Sequence, residues 1–314
     1  MAMYDTINFR LPSDEAGGYR GQFEVAKRLD GVAEHTYPNN GWAITGHKGG
    51  LKITITERQI KVGDGSLCKW YMGDNYQRMT RKDARLAIER LSDELHLPMD
   101  RAGVFRLDIG MVLILQHPVE VYLNHLGAKT YAARLAQPSS LYYQNRSKKL
   151  LFYDKNKEQR KKGEPIPKLY VGRNVCRYEL ALTERVAAQL NTTKVTGAML
   201  YDEAFYMGLL DRYREEYEAI QKIGDIELNF AEMGTLKELK DMGLLALVER
   251  AGGQHEILKQ IEEAARCGKL SRKQAYDIRS AIRVACSRNV DIVVENEAVK
   301  ELDKKIKEGI RFYR

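Results

Sequence analysis

The sequence predicts an α+β fold: two related antiparallel-sheet lobes, each backed by helices, followed by an all-helical C-terminal region. Short β-prone runs bounded by turn residues recur through the first 190 residues. The order strand, helix, hairpin, strand, helix occurs twice, in residues 4–95 and 104–190. Beyond residue 195, apolar residues recur at helical spacing instead. These patterns divide the chain into residues 1–100, 101–225 and 226–314.

The first lobe begins with an alternating strand at residues 4–11 and a short helix at residues 21–29. Residues 51–62 read as two strands, followed by a Gly-Asp-Gly turn and a further strand at residues 67–72. Thr80 is typical of an N-cap, and Asp83 suits the first turn of a helix over residues 81–95. Pro98 follows the end of this helix.

The second lobe repeats this order. A strand at residues 104–115 carries a central carboxylate, Asp108, and a helix at residues 118–126 follows it. Residues 141–143 and 149–153 form a predicted hairpin around a polar turn. A strand at residues 174–182 carries a second central carboxylate, Glu179, and a helix at residues 184–190 completes the lobe.

The C-terminal region is predicted to be helical. Leu200, Phe205 and Leu209 lie on one face of a helical segment over residues 196–223, and this stripe is typical of core packing. Helices at residues 254–267 and 272–287 are joined by a short turn, which gives the outline of a helix-turn-helix. An ordinary α-hairpin with a solvated basic face fits the same pattern.

Composition restricts the classes of function. The net charge is +8 and the pI about 9.1, which favours a polyanionic partner. Four scattered cysteines without a CxxC pair predict free thiols and a cytoplasmic protein. We expect neither a signal peptide nor a membrane span. Histidine spacing does not support a histidine-built metal site, and the phosphate-loop motif of ATP-driven helicases is absent.

Positive charge concentrates around the predicted hairpin. Residues 134–177 hold twelve Lys or Arg and three acidic residues, a net charge of +9, which exceeds that of the whole chain. Interleaved tyrosines, among them Tyr142, Tyr143 and Tyr153, are suited to stacking on bases. This basic belt predicts nucleic acid as the partner, although a solvated loop rim gives a similar pattern. The candidate DNA contacts are Arg106, Tyr143, Arg146, Lys148, Lys149 and Arg177.

A candidate nucleophile lies at the end of the hairpin. Tyr153 and Lys155 are two residues apart, so in a continuing strand both side chains point to the same face. A phenol next to an ammonium suits attack on a phosphodiester, with Tyr153 as nucleophile and Lys155 countering phosphate charge. A half-buried tyrosine beneath a basic rim is the alternative interpretation.

Two carboxylates form a candidate metal site. Asp108 and Glu179 each follow an arginine by two positions, so each strand presents one base and one acid to the same face. Carboxylates on adjacent strands can hold Mg²⁺ or Mn²⁺ and leave coordination positions open for phosphate. Salt bridges from Arg106 and Arg177 to these carboxylates are the alternative.

Three segments of the chain resemble the filamentous-phage gene II/X family of replication proteins. They are GSLCKWYMGDN at residues 65–75, FRLDIGMVLILQHPVEVYLNHLG at residues 105–127, and the hairpin at residues 141–158 continuing to the Arg-x-Glu of Arg177 and Glu179. The resemblance covers about residues 4–223. The chain is also similar to the Rep-trans initiators of rolling-circle plasmids.

The resemblance implies a fold of the HUH-endonuclease group or a relative of it, and an activity. Such proteins nick one strand of a double-stranded origin, stay joined to the 5′ phosphate through a tyrosine, and later rejoin the ends. By position, Tyr153 would be the nucleophile and Lys155 its helper, while Asp108 and Glu179 would hold the cation. Tyr143, or less favourably Tyr142, is a rival nucleophile. The chain lacks the His-hydrophobic-His motif of the larger group, which leaves the ligand set open.

The partners implied are single-stranded DNA, the double-stranded origin, and a host helicase and polymerase, with no membrane. Two other functions fit the same sequence. A non-catalytic replication repressor would use the basic belt and the C-terminal helices without needing the two carboxylates. An RNA-binding protein acting through the same sheet surface ranks behind it.

Overall fold

A computed structural model describes residues 4–38, 41–77, 79–226, 235–287 and 293–313. Ten strands of this part of the chain form one large antiparallel sheet. They are β1 (Tyr4–Pro12), β2 (Asp30–Tyr37), β3 (Gly41–Lys48), β4 (Leu51–Thr56), β5 (Gln59–Gly63), β6 (Gly103–Leu115), β8 (Ala133–Gln137), β9 (Ser140–Gln144), β10 (Lys148–Asp154) and β11 (Asn174–Leu182). Two small ladders lie outside it: β7 (Leu126–Lys129) pairs with β12 (Ile220–Lys222), and β13 (Asp225–Ile226) pairs with β14 (Val293–Val294).

The two predicted lobes join edge to edge in this single sheet. The strand order is β2-β3-β4-β5-β1-β6-β11-β10-β9-β8, so five strands of the first lobe and five of the second meet where β1 pairs with β6. Each half runs inward in the same order, with its first strand at the centre and a hairpin-linked series outside it. The repeated order of elements therefore corresponds to a repeated strand topology, and the predicted α+β class is confirmed.

The described residues also form α-helices. They are α1 (Gly18–Ala26), α2 (Leu67–Met72), α3 (Arg81–Leu95), α4 (Val119–Asn124), α5 (Lys155–Lys162), α6 (Val186–Gln189), α7 (Glu203–Glu218), α8 (Leu236–Arg250), α9 (Gln254–Arg266), α10 (Arg272–Ser287) and α11 (Glu297–Tyr313). The core lies between one face of the sheet and helices that include α3, α7 and α11. Helix α5 instead borders the opposite face, and α8, α9 and α10 pack on one another. The predicted capping box at the start of α3 is present, with Thr80 and Asp83 each satisfying a backbone N–H of the other.

Strand alternation gives the two faces of the sheet different chemistry. Phe152 on β10 and Tyr178 on β11 are directly paired and stack at 4.4 Å between ring centroids. Tyr178 stacks in turn on Tyr213 of α7 at 4.2 Å. These rings belong to the helix-covered face. The neighbouring positions Tyr153 and Glu179 point to the opposite face, which we call the site face.

Three local predictions were wrong. Residues 67–72 form helix α2 instead of a strand, because the Ser66 hydroxyl accepts a hydrogen bond from the Lys69 amide and caps the helix. The segment after Tyr153 does not continue as a strand; it is helix α5, capped by Asp154 and ended by Gly163 at positive φ. Strands β2, β3, β7 and β8 were not anticipated. β2 and β8 are the edge strands of the sheet and are exposed along their whole length.

The C-terminal region has two parts. Helices α8, α9 and α10 share a small core built from Val248, Ile257, Ile261, Ala275 and Ile282. Helix α11 instead packs on α7 and β6, where the Tyr217 hydroxyl donates to Asp303 at 2.5 Å. No helix within the described ranges has the length and apolar composition needed to cross a membrane. The boundaries at residues 100/101 and 225/226 stay predictions.

Removing a ring from the aromatic stack should destabilise the folded protein strongly. We expect Phe152→Ala to lower the free energy of unfolding by about 3–5 kcal/mol, because it leaves a cavity under Tyr178 in a fully buried site. Urea denaturation measures this difference. Leu135→Ala on the exposed edge strand β8 is the matched control and should change stability by about 0.5 kcal/mol or less. Equal losses for both variants would contradict this account of the core.

Candidate active site

A polar cavity of about 640 Å³ opens on the site face where the two halves of the sheet meet. Residues of β1, β6, β8, β9, β10, β11, α2 and α5 line it, together with the loops around Ser66 and Asn75. Five of the predicted site residues are among its lining: Tyr153, Lys155, Asp108, Glu179 and Arg106. Segments far apart in the sequence therefore converge on one pocket that carries both acids and bases.

Tyr153 enters this cavity from the end of β10. Its hydroxyl donates a hydrogen bond of 3.0 Å to Oε1 of Glu179 on the neighbouring strand β11. Burial, followed by the negative charge of Glu179, raises the pKa of the Tyr153 phenol well above its ordinary value. The phenol is therefore protonated at neutral pH, and a carboxylate oxygen is already in place to accept its proton.

Lys155 lies beside Tyr153, but not for the predicted reason. β10 ends at Asp154 and Lys155 is the first residue of α5, so strand alternation does not set its direction. The residue is 1% exposed, and its ammonium donates to Glu158 at 2.9 Å. The Lys155 nitrogen lies 5.8 Å from the centre of the Tyr153 ring. Burial and then the charge of Arg177 lower the pKa of Lys155.

Asp108 and Glu179 share the site face as diagonal neighbours. Ala181 lies opposite Asp108 and Gly110 lies opposite Glu179, so the two carboxylates are offset by two residues across β6 and β11. A Cβ atom on Gly110 would come within 3.0 Å of the Glu179 side chain. A side chain at this position would therefore crowd Glu179 and Arg177. Burial raises the pKa of Asp108 to about 6, although Arg106 opposes this shift.

A third carboxylate, Asp5, was missed from the sequence. Tyr4 pairs with Ile109 and Ile7 pairs with Leu107, so two residues of β1 oppose the single residue Asp108. This β-bulge brings Asp5 to the cavity wall. Burial opposes ionisation of Asp5, but the positive charge of Arg177 outweighs it and the pKa is lowered. The sequence contained one signal for this residue, an acidic side chain within an alternating strand. Nothing in the sequence indicated the β-bulge.

Arg177 was predicted to contact DNA, and the structure corrects this. Its side chain is fully buried, at 0% exposure. The guanidinium donates to Asp5 at 2.7 Å, to the backbone carbonyl of Asn75 at 2.6 Å, and to Glu179. A group that is buried and engaged in this way cannot reach a phosphate. Arg177 therefore positions two of the three carboxylates.

Two more predicted DNA contacts lie away from the site face. Tyr143 is fully buried on the helix-covered face, where its hydroxyl donates to the Gly127 carbonyl at 2.6 Å. This position also excludes Tyr143 as a rival nucleophile within the cavity, whereas Tyr142 does line it. Lys148 is on the same covered face and pairs with buried Glu216. Strand alternation, which separates neighbouring residues onto opposite faces, explains both corrections.

The remaining predicted contacts are accessible. Arg106 is partly exposed and holds Asp108 through two hydrogen bonds of 3.0 and 2.7 Å. Lys149 lies on the site face, 4.5 Å from the centre of the Tyr142 ring. Arg146 is in the hairpin turn, with a side chain that is 91% exposed. Helix α5 adds Lys157, Lys161 and Lys162 to the cavity wall.

The cavity fits a single divalent cation held by two carboxylates. Magnesium sites commonly use one or two carboxylates, several waters and substrate phosphates. Asp108 and Glu179 supply the carboxylates, and the Asn75 side-chain oxygen is a buried acceptor without a hydrogen-bond partner in the described structure. No group of three or more His, Cys, Asp or Glu residues within the described ranges is arranged to enclose a metal. Asp108, Glu179 and the Asn75 oxygen are therefore the groups of this cavity that could contribute to holding such a cation.

Comparison with known proteins identifies the family. A family model for the N-terminal region of a phage replication-associated protein, the gene II protein, matches residues 3–204, about two thirds of the chain. The chain belongs to this family. None of the curated proteins matches it significantly. As a member of the family, it is a filamentous-phage gene II-type rolling-circle replication initiator, and the match spans every element that lines the cavity.

Asp108 predicts a pH-dependent stability in the metal-free protein. Its folded pKa of about 6 exceeds the ordinary value of 3.8, so its contribution is favourable below about pH 4 and is lost as the pH rises through 6. The loss reaches up to about 3 kcal/mol. We expect Asp108→Asn to gain stability relative to the unsubstituted protein between about pH 4.5 and 7.5 in EDTA, as measured by urea unfolding. A stability difference that is independent of pH would contradict this.

Replacing Arg177 should lower the stability of the protein. We expect Arg177→Met to lose about 3–5 kcal/mol of unfolding free energy, because buried Asp5 and partly buried Glu179 lose their shared cation. Arg106→Gln is the comparison, since Asp108 borders the open cavity and the Arg106 side chain is 38% exposed; it should lose about 1 kcal/mol or less. A small loss of unfolding free energy for Arg177→Met would contradict this structural role and make Arg177 a candidate DNA contact again.

Proposed function

We propose that this replication initiator nicks one strand of its origin by transesterification on Tyr153. The observation that carries the proposal is the 3.0 Å hydrogen bond from the Tyr153 hydroxyl to Glu179, inside a cavity that also holds Asp108 and the lysines of α5. A nucleophile, a proton acceptor and positive charge for the phosphate occupy one open site. The family match supports the initiator role, and residues 3–204 contain all of these groups.

The reaction exchanges one phosphodiester for another. The Tyr153 oxygen attacks the scissile phosphorus while its proton passes to Glu179. The bond from phosphorus to the 3′ oxygen breaks, and that oxygen takes a proton from solvent. The products are a 5′-phosphotyrosine and a free 3′-OH. Since no water is consumed, a 3′-OH can later attack the phosphotyrosine and rejoin the strand.

Asp108 and Glu179 would hold a Mg²⁺ or Mn²⁺ ion at the open side of the cavity. When bound, the ion supplies Lewis-acid stabilisation of the charge that develops on the phosphate. Each Asp108 oxygen accepts one hydrogen bond from Arg106 and would keep a lone pair for the cation. The partly exposed Arg106 guanidinium would also contact a phosphate. Glu179 keeps a second oxygen available while Oε1 accepts from Tyr153.

Lys155 and the outer lysines of α5 would compensate different negative charges. The buried Lys155 ammonium lies close to the Tyr153 ring and would stabilise the forming phenolate. The outer lysines Lys157 and Lys161 are exposed at the cavity mouth and suit the phosphates on either side of the scissile bond. Single-stranded DNA at the cavity and double-stranded origin DNA are the proposed ligands. A host helicase and polymerase would then use the free 3′-OH.

The decisive variant removes one oxygen atom. We expect Tyr153→Phe to reduce nicking of supercoiled origin plasmid below detection in Mn²⁺, with the dissociation constant for single-stranded origin DNA changed less than about threefold. Tyr142→Phe, on the same face and in the same cavity, is the matched control and should keep nicking. Nicking that survives in Tyr153→Phe and is lost in Tyr142→Phe would move the nucleophile to β9.

One observation favours the alternative, a non-catalytic repressor. Arg106 and Arg177 pair with Asp108 and Glu179, which is the salt-bridge arrangement that needs no metal. The two functions differ in their response to chelator. The nuclease requires added Mn²⁺ for strand scission, whereas a repressor binds its origin equally with Mn²⁺ or EDTA and cuts in neither.

A further inference from the structure

The N-terminal half of the sheet has an open site face that no proposed step uses. β1, β5, β4 and β3 bury Phe9, Val62, Ile53 and Ile44 on the helix-covered side. On the site face, the same strands present polar and basic residues. They are Arg10 on β1, Lys61 on β5, Lys52 and Thr54 on β4, and Thr45 on β3.

Two cations on this surface face each other directly. Arg10 and Lys61 are paired residues of the antiparallel strands β1 and β5. Side chains at such positions have Cβ atoms about 5 Å apart, and like charges there destabilise the sheet. Neither residue forms an ion pair with a carboxylate in the part of the chain that the structure describes. An uncompensated pair of this kind indicates an anionic ligand.

Acidic residues are kept away from this pair. Strands β3, β4 and β5 contain no Asp or Glu. Asp64 lies at the cavity end, where it is bonded to Asn8, and Asp30 is in register with His47 at the outer edge strand. Between these two acids, the strand residues of this surface are basic or neutral.

Aromatic rings accompany the charges. The Arg10 guanidinium lies 4.8 Å from the centre of the Phe105 ring, which holds it on the surface. At the far edge, Tyr37 is 48% exposed and stacks with His35. Cations together with exposed rings on an open sheet are the features that bind single-stranded nucleic acid through phosphates and stacked bases.

We propose that the face formed by Arg10, Lys61, Lys52, Phe105 and Tyr37 is a binding track for single-stranded DNA that continues from the cavity. The proposal rests on the proposed function, because it assigns a path to the same strand. Arg10 lies opposite Gly103, five residues along β6 from Asp108, a distance of about 16 Å. This corresponds to about five stacked nucleotides from the scissile phosphate.

The test measures the salt dependence of binding in a Tyr153→Phe background, where the DNA is not cut. Arg10→Gln/Lys61→Gln should lower the slope of log K against log salt for a labelled single-stranded oligonucleotide by about 1.4, since each lost phosphate contact removes about 0.7. Lys27→Gln/Arg85→Gln, which removes equal charge from exposed helical sites, is the control and should leave the slope unchanged. The Arg10/Lys61 variant should melt at or above the parent temperature because a repulsive pair is removed.

Equal slopes for the track variant and the control variant would overturn the proposal, as would a loss confined to duplex DNA. The oligonucleotide is then shortened from one end. The difference in slope between parent and track variant should disappear once fewer than about five nucleotides remain on that side of the scissile position. A difference that persists on oligonucleotides too short to leave the cavity would also contradict the track. Nicking by the Tyr153-containing protein is measured separately, so a slope change without nicking supports the track while refuting the nuclease.

Discussion

The buried guanidinium of Arg177 is the interaction on which the rest of the site depends. It joins Asp5 of β1, Glu179 of its own strand and the Asn75 carbonyl of the loop that follows α2. These groups come from both halves of the sheet, so the contact fixes the halves at the point where the cavity opens. Taking such charges out of water is costly, and the arrangement is stable only because each charge has a partner. The cost is consistent with a site selected for geometry more than for stability.

The same contact sets the chemistry next to it. Arg177 contacts Glu179, and Glu179 accepts the hydrogen bond of Tyr153, so the proposed nucleophile is oriented through a chain of two interactions. Asp108 stands beside them with a raised pKa, held by the more exposed Arg106. Arg177 is therefore enclosed by the structure, whereas the Arg106 side chain is 38% exposed and accessible to a ligand.

Much of the fold could be read from the sequence, because its signals are local. Alternation and turn residues located β6, the β9–β10 hairpin and β11, and Thr80 with Asp83 marked the start of α3. The positions of Tyr153 and Glu179 on one face follow from the same alternation. Asp154 and Gly163 are ordinary start and stop signals for α5, but the density of charge concealed them. Giving full weight to those caps would have placed Lys155 on a helix.

The unpredicted features depend on contacts between distant segments. The bulge that delivers Asp5 arises from the pairing of β1 with β6, which lies far along the chain, and single-strand patterns do not encode it. Arg177 was predicted to contact DNA because the sequence does not reveal its burial. That burial depends on Asp5, Glu179 and the Asn75 carbonyl, which come together only in the fold. Tyr143 and Lys148 were assigned by proximity in the chain, although alternation already separated Tyr143 from its neighbour on the site face.

The most direct test of the central claim is the identity of the residue bonded to DNA. The protein is incubated in Mn²⁺ with a single-stranded origin oligonucleotide, the complex is digested with protease and nuclease, and the modified peptide is sequenced by mass spectrometry. We predict a nucleotide attached through phosphate to Tyr153, and none in EDTA. Attachment at another residue, or tight binding with no covalent product in any metal, would contradict this mechanism.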